Sequence, residues 1–195
     1  MKTGTGKESL LDIAEQLLQT DQSVSAREIT KKAKVADGLL IHHFGSYAGL
    51  IAILTSRLNK RQGQALESFG GSRGRSQLET AVAFFRELAK LDLNPKNSRL
   101  RRMSCEMSWR WKPIDEGQLT DSVPDLLRPL KKHLKFESDA AADEVLMTLW
   151  AIYLLPLRLA FNDSILPIDK VKTEDNKLAA IVERIRPKFA LILKS

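Results

Sequence analysis

The chain is expected to be all-α and built in two parts, on three observations. Apolar residues recur at helical spacing from Leu10 to Ile192. No stretch shows the period-two alternation of a half-buried strand. Gly70-Gly71-Ser72-Arg73-Gly74 is the clearest linker, and it divides short helical segments from longer ones.

Taken in order, Leu10, Ile13, Ala14, Leu17 and Leu18 stripe a first helix over about Lys7–Gln19. Ser25 and Glu28 then stand in the S-x-x-E order of a capping box, with Val24 and Ile29 placed to staple the chain entry. A short second helix follows, its apolar stripe formed by Ala26, Ile29 and Ala33. Lys34-Val35-Ala36 interrupts the pattern, and a third short helix turns Leu40 and Phe44 inward. Two short helices around a tight turn read as a helix-turn-helix, whose second helix ordinarily enters the DNA major groove. A fourth helix runs from Ser46 through Leu50, Ile51, Ile53, Leu54 and Leu58 to about Ser68.

Beyond the linker, Leu78, Val82, Phe85 and Leu88 stripe a fifth helix that ends near Leu93-Asn94-Pro95. A sixth carries Leu100, Met103, Met107 and Trp111 and stops at Pro113. Ser122 caps a seventh with Val123, Leu126, Leu127, Leu130 and Leu134, which Pro129 should bend. Ser138 begins an eighth through Phe161, with a kink expected at Pro156. Thr173 or Glu174 opens the last, striped by Leu178, Ile181, Ile185, Phe189 and Ile192.

The run from Val35 to Ser46, VADGLLIHHFGS, resembles the V-S-x-G-x-L-Y-x-H-F-x-S signature of the TetR-type (TetR/AcrR) helix-turn-helix regulators. Val35, Gly38, Leu40, His43, Phe44 and Ser46 match, as does Leu50 downstream. Ala36 replaces the usual serine, Ile41 the usual tyrosine, and Tyr47 the lysine that usually follows Ser46. The resemblance implies an N-terminal three-helix DNA-binding part over 1–50 and a C-terminal helical ligand-binding and dimerisation body over 51–195. The helix at 46–68 connects them. It further implies a homodimer bound to a palindromic double-stranded operator, with an apolar small molecule in the body.

On that basis Asp37, Leu39, Ile41 and His42 should face DNA, with Gly38 allowing close backbone approach. His43 should lie near phosphate, and Ser25 and Arg27 should touch phosphate from the start of the second helix. Ser46 and Tyr47 complete the candidate set. The reading helix holds neither lysine nor arginine, and Asp37 opposes DNA unless it accepts from a cytosine amino group.

Phe85, Met103, Met107, Trp109, Trp111, Trp150 and Tyr153 form the candidate ligand site, although aromatic and methionine stripes at this spacing equally describe a packed core. Leu149, Ile152, Leu178, Ile181, Ile185 and Phe189 are the candidate dimer contacts. The helices that bear them carry more apolar surface than one stripe needs.

Composition fits this reading without requiring it. The net charge is +7, from 31 basic against 24 acidic side chains. Residues 1–63 hold nine Lys/Arg and six Asp/Glu, or +3, so basicity is not concentrated at the proposed DNA-binding end. The single cysteine, Cys105, excludes an intrachain disulfide framework and suits a reducing cytoplasm. Lys2 and Lys7 precede no apolar run of a signal peptide. Val145–Phe161 falls short of the ~20 residues of a membrane span, so no membrane association is expected. His42 and His43 are adjacent and point about 100° apart on a helix, so no metal site is expected. No Gly-rich phosphate loop or nucleophile elbow is present, and neither enzymatic activity nor a cofactor is indicated. The expected function is a ligand-responsive transcriptional regulator, most simply a repressor. The alternative is a protein-interaction module on the same fold, which Ile41 and Tyr47 would favour.

Overall fold

The computed structural model describes residues 6–20, 24–70, 75–107, 122–163 and 173–193. Among these, the regular elements are all helices: α1 (Gly6–Thr20), α2 (Ala26–Ala33), α3 (Asp37–Phe44), α4 (Tyr47–Ala65), α5 (Gln77–Leu93), α6 (Pro95–Met107), α7 (Ser122–Lys131), α8 (Asp139–Phe161) and α9 (Glu174–Ile192). They fall into two compact units, with α4 contributing through Leu58 to the first and from Asn59 to the second.

In the first unit α1 packs on α2, α3 and α6, and α2 on α3. Its core joins Leu10, Leu11, Ala14 and Leu18 of α1 to Ile29, Leu40, Phe44, Leu50, Ile51, Leu54, Leu58 and Leu100. Three helices of two to four turns cannot hold themselves alone, so this shared burial is what makes them stable. Arg57 on α4 pairs with Glu8 and with Asp12, the latter at 3.3 Å, and is thereby committed to α1. Gly49 is required by packing: a Cβ there would lie 2.0 Å from the Phe44 carbonyl oxygen, so the turn from α3 into α4 closes only over glycine.

In the second unit α9 packs along α5 and α8, and α7 contacts α5 and α8. Each long helix starts on a side-chain cap: Ser76 accepts from the Glu79 amide, Ser138 from Ala141 and Thr173 from Asn176. Pro129 lies inside α7 and withdraws the amide that would bond the Asp125 carbonyl four residues earlier. That oxygen faces Gly63 of α4, where a Cβ would lie 2.7 Å away. The proline frees an acceptor, and glycine at 63 leaves room for the α4 backbone to pass close to it.

Helix α8 has the bounds its sequence predicts, capped by Ser138 and ending at Phe161, and is longer than its apolar run of Val145–Phe161. It begins at Asp139 and continues through Pro156, so by length and composition it could cross a membrane. Its Leu146, Leu149, Trp150, Tyr153, Leu157 and Ala160 are buried within the second unit, as a core helix requires. Helix α6 starts earlier than its stripe suggests, with Pro95 at its first position, where a missing amide costs nothing.

Candidate functional site

The local chemistry of the helix-turn-helix begins at Ser25. Its hydroxyl accepts from the Glu28 amide at 3.3 Å, and the Glu28 carboxylate accepts from the Ser25 amide and hydroxyl, both at 2.7 Å. The expected capping box is therefore formed, with Val24 and Ile29 buried beside it. Lys34 ends α2 in the left-handed region, φ 55°, returning its amide to Thr30 and Lys31 carbonyls. This turn aims α3 across α2.

Helix α3 is fixed by Leu40 and Phe44, both buried, and by a contact that the apolar pattern does not reveal. The Thr30 hydroxyl, buried on α2, donates to the Asp37 carboxylate at the first position of α3. Asp37 is thus an internal clamp between the two helices as well as an exposed residue. Thr30 lies four residues after Ala26, on the inward stripe, and that placement is the signal that could have found it.

The remaining candidate DNA contacts divide. Arg27, Gly38, Ile41 and His42 are exposed, with Ile41 at 54%. Leu39 is instead partly buried, packed against the core beside Gly6 of α1, and so does not face outward. His43 is partly buried, its ring 6.1 Å from Phe44 and 5.1 Å from that of exposed His42. Ser46 is also partly buried, and its hydroxyl accepts from the Gly49 amide at 3.0 Å, capping α4. Tyr47 turns inward: its hydroxyl donates to the Val24 carbonyl. Burial, then the charge of Glu28, pushes its pKa up to about 12. Tyr47 is thus a brace between α4 and the start of α2, which a flexible lysine would not provide.

Arg27 and Lys31 line an open groove with Val24, Ser25, Glu28, Met103 and Glu106, all in the first unit. Met103 and Met107 pack onto this unit's core. The other described members of the candidate ligand set lie in the second unit. Tyr153 sits at its centre, with ring centroids 5.1 Å from Phe85 and 5.5 Å from Trp150. Trp109 and Trp111 lie outside the described residues.

Polar groups within the second unit were not anticipated. Asp92, fully buried, accepts from the Tyr153 hydroxyl at 2.7 Å and from the Gln62 amide at 2.8 Å. The Asn59 amide donates to the Ser122 hydroxyl at 3.1 Å. Asp92 falls seven residues after Phe85 and four after Leu88, squarely on the α5 stripe, so its burial was legible from spacing.

Of the candidate dimer contacts, Leu149, Ile181, Ile185 and Phe189 are completely covered by their own chain, and Leu178 nearly so. They form this unit's core, and Ile152 alone keeps partial exposure. The open apolar surface of these helices is elsewhere. Met147, Ala151, Ile152 and Leu155 line a shallow groove with Glu144, Thr148 and Lys188. Leu191 near the end of α9 is 76% exposed. No His/Cys/Asp/Glu cluster suited to a metal occurs among the described residues.

Comparison with known proteins gives the fold. No family model and no curated protein matches the sequence. Among solved structures, the chain resembles a TetR transcriptional regulator from Rhodococcus sp. RHA1, with a TM-score of 0.70 at 13% identity over 96% of each chain. It also resembles Thermus thermophilus FadR, a TetR-family transcriptional repressor in complex with lauroyl-CoA. There the TM-score is 0.62 at 18% identity, covering 94% of this chain and 92% of the other. The chain has the TetR-type fold, as the Val35–Ser46 signature implies.

Proposed function

We propose that the protein is a ligand-responsive, DNA-binding transcriptional regulator, acting as a homodimeric repressor that an apolar small molecule releases from a palindromic operator. The observation that supports this best is α3 itself. It is anchored by Leu40, Phe44 and the Thr30–Asp37 clamp, yet presents Gly38, Ile41 and His42 to solvent. A helix held so firmly at its base and left bare on its outer face suits insertion into a major groove. Arg27, Lys31, Lys32 and Lys34 are exposed on α2 and its C-cap and supply charge for phosphates. The fold shared with a repressor supports the same reading.

In this reading the second unit senses the ligand through the Phe85–Tyr153–Trp150 cluster. Helix α4 conveys the response, because its Gln62 and Asn59 bond to Asp92 and Ser122 while its first half belongs to the reading unit. The shallow strip of Met147, Ala151 and Leu155, repeating every four residues on α8, is the face we assign to the partner subunit. Two reading helices must match half-sites spaced by about 34–36 Å, so a small change in their separation lowers specific affinity.

The test is binding of the full chain to duplex DNA, followed by fluorescence anisotropy at rising salt. A regulator of this kind loses affinity steeply, by a log–log slope of about −0.9 for each phosphate neutralised. A salt-independent or absent response would leave the exposed Ile41 as support for a protein-interaction module instead.

A further inference from the structure

The geometry points to Ile41 as a thymine-reading residue: its exposed side chain packs on a thymine 5-methyl group in the major groove, beside a path kept open by Gly38. This rests on the DNA-binding reading above and names what the reading helix recognises. Helix α3 exposes Asp37, Gly38, Ile41 and His42. Bidentate recognition of guanine needs Arg or Lys, and that of adenine needs Asn or Gln. None of these residue types is exposed on α3. Asp37, the one acid, is held by the Thr30 hydroxyl. What remains for base contact is one imidazole and one large aliphatic group. The partner for an aliphatic group in the major groove is the thymine methyl, the apolar feature that distinguishes that base.

Gly38 supplies a second and independent observation. A Cβ at this position would meet nothing within 4 Å, and the residue does not take a positive φ. The chain's own packing therefore has no need of glycine here, although glycine weakens a helix relative to alanine. Gly49, the third residue of α4, is the contrast, since its Cβ would strike backbone. Gly38 and Ile41 are three residues apart and share a face. A bare backbone one turn before an exposed isoleucine lets the helix settle deeply enough for the side chain to touch a base edge. The neighbouring helix α2 and its C-cap expose Arg27, Lys31, Lys32 and Lys34, which give the helix-turn-helix a charge complementary to DNA and opposed to a cationic partner.

The experiment uses the full chain and duplexes it enriches from a random-sequence pool. Each thymine of an enriched duplex is replaced singly by uracil, which lacks only the methyl group. We expect one position per half-site where uracil weakens binding by about fourfold, the equivalent of one buried methyl. In Ile41→Ala the same duplex should bind more weakly, and thymine and uracil at that position should become equivalent. Ile41→Ala should melt as the unmodified chain does, because the side chain stands in solvent. Equal binding of uracil at every thymine, or a methyl effect that survives Ile41→Ala, would overturn the assignment while leaving DNA binding intact. Failure to enrich any duplex would overturn the DNA-binding reading itself, and this assignment with it.

Discussion

The Tyr47 hydroxyl donates to the Val24 carbonyl, so the first residue of α4 is tied to the residue that precedes the α2 cap. Two helix starts are thereby joined in one place, and the orientation of α2 depends on a phenol rather than on apolar packing alone. Removing the hydroxyl in Tyr47→Phe should cost about 1 kcal/mol near neutral pH. The sign of the pH dependence follows from the raised pKa. The protonated phenol favours the folded state, so its contribution is whole below the ordinary tyrosine pKa of about 10. It declines as pH rises from there through about 12. Urea melts of the two proteins should differ at pH 7 and converge at the alkaline end. A constant gap across that range would mean the hydroxyl is not the group that matters.

Gly38 and Gly49 should respond oppositely to alanine. Gly38→Ala meets open space within a helix and should raise stability by up to about 1 kcal/mol. The same change should weaken DNA binding, because a methyl would stand on the face proposed to meet the bases. Gly49→Ala places a Cβ against the Phe44 carbonyl, where the obstacle is backbone and cannot swing away. It should lower the melting temperature sharply or prevent folding. Thermal melts and anisotropy on the same preparations separate the two effects. Unchanged DNA affinity for a stabilised Gly38→Ala would remove the close-approach argument.

The buried carboxylate of Asp92 bridges α5, α4 and α8 through Gln62 and Tyr153. Tyr153→Phe withdraws one donor from a fully buried acceptor while leaving the aromatic packing with Phe85 in place. The loss should be about 1–3 kcal/mol, read as a shift in urea midpoint at constant slope. Gln62→Leu should cost a similar amount, and the double variant less than the sum, because both serve one carboxylate. Strict additivity would indicate that the two hydrogen bonds act separately.

Much of the fold was legible because periodicity reports burial. Leu40, Phe44 and Leu50 were placed correctly by spacing, and the Ser25–Glu28 cap by a local rule. Periodicity does not report which group covers a residue. Leu149, Ile181 and Phe189 read as surplus apolar surface for a partner, whereas their own chain covers them. Polar contacts between distant residues were also illegible, since nothing local connects Tyr47 to Val24 or Asp92 to Tyr153. Leu39 was expected to face DNA, yet it lies beside Gly6 of α1 and is partly buried. Such placements depend on where a third helix lies.

That distinction decides how dimerisation should be tested. Ile181 lies on the inward face of α9 and is fully buried, so Ile181→Asp would put an unpaired charge in the core. The expected result is an unfolded or aggregated chain, which says nothing about assembly. Leu155 is 52% exposed on the opposite side of α8, in line with Met147 and Ala151. If that strip meets a second copy, the unmodified protein should sediment as a dimer at micromolar concentration. Leu155→Asp should then sediment as a monomer with undiminished helical content. Each subunit would place its carboxylate against the other's apolar strip, where losing water costs an ionised group more than a cation at the groove edge returns. The monomer should also lose DNA affinity by far more than one contact, because a single reading helix cannot span two half-sites. A Leu155→Asp protein that stays dimeric would move the interface away from this strip of α8. Leu191 on α9, the other large exposed apolar group of these helices, would be the next position to test.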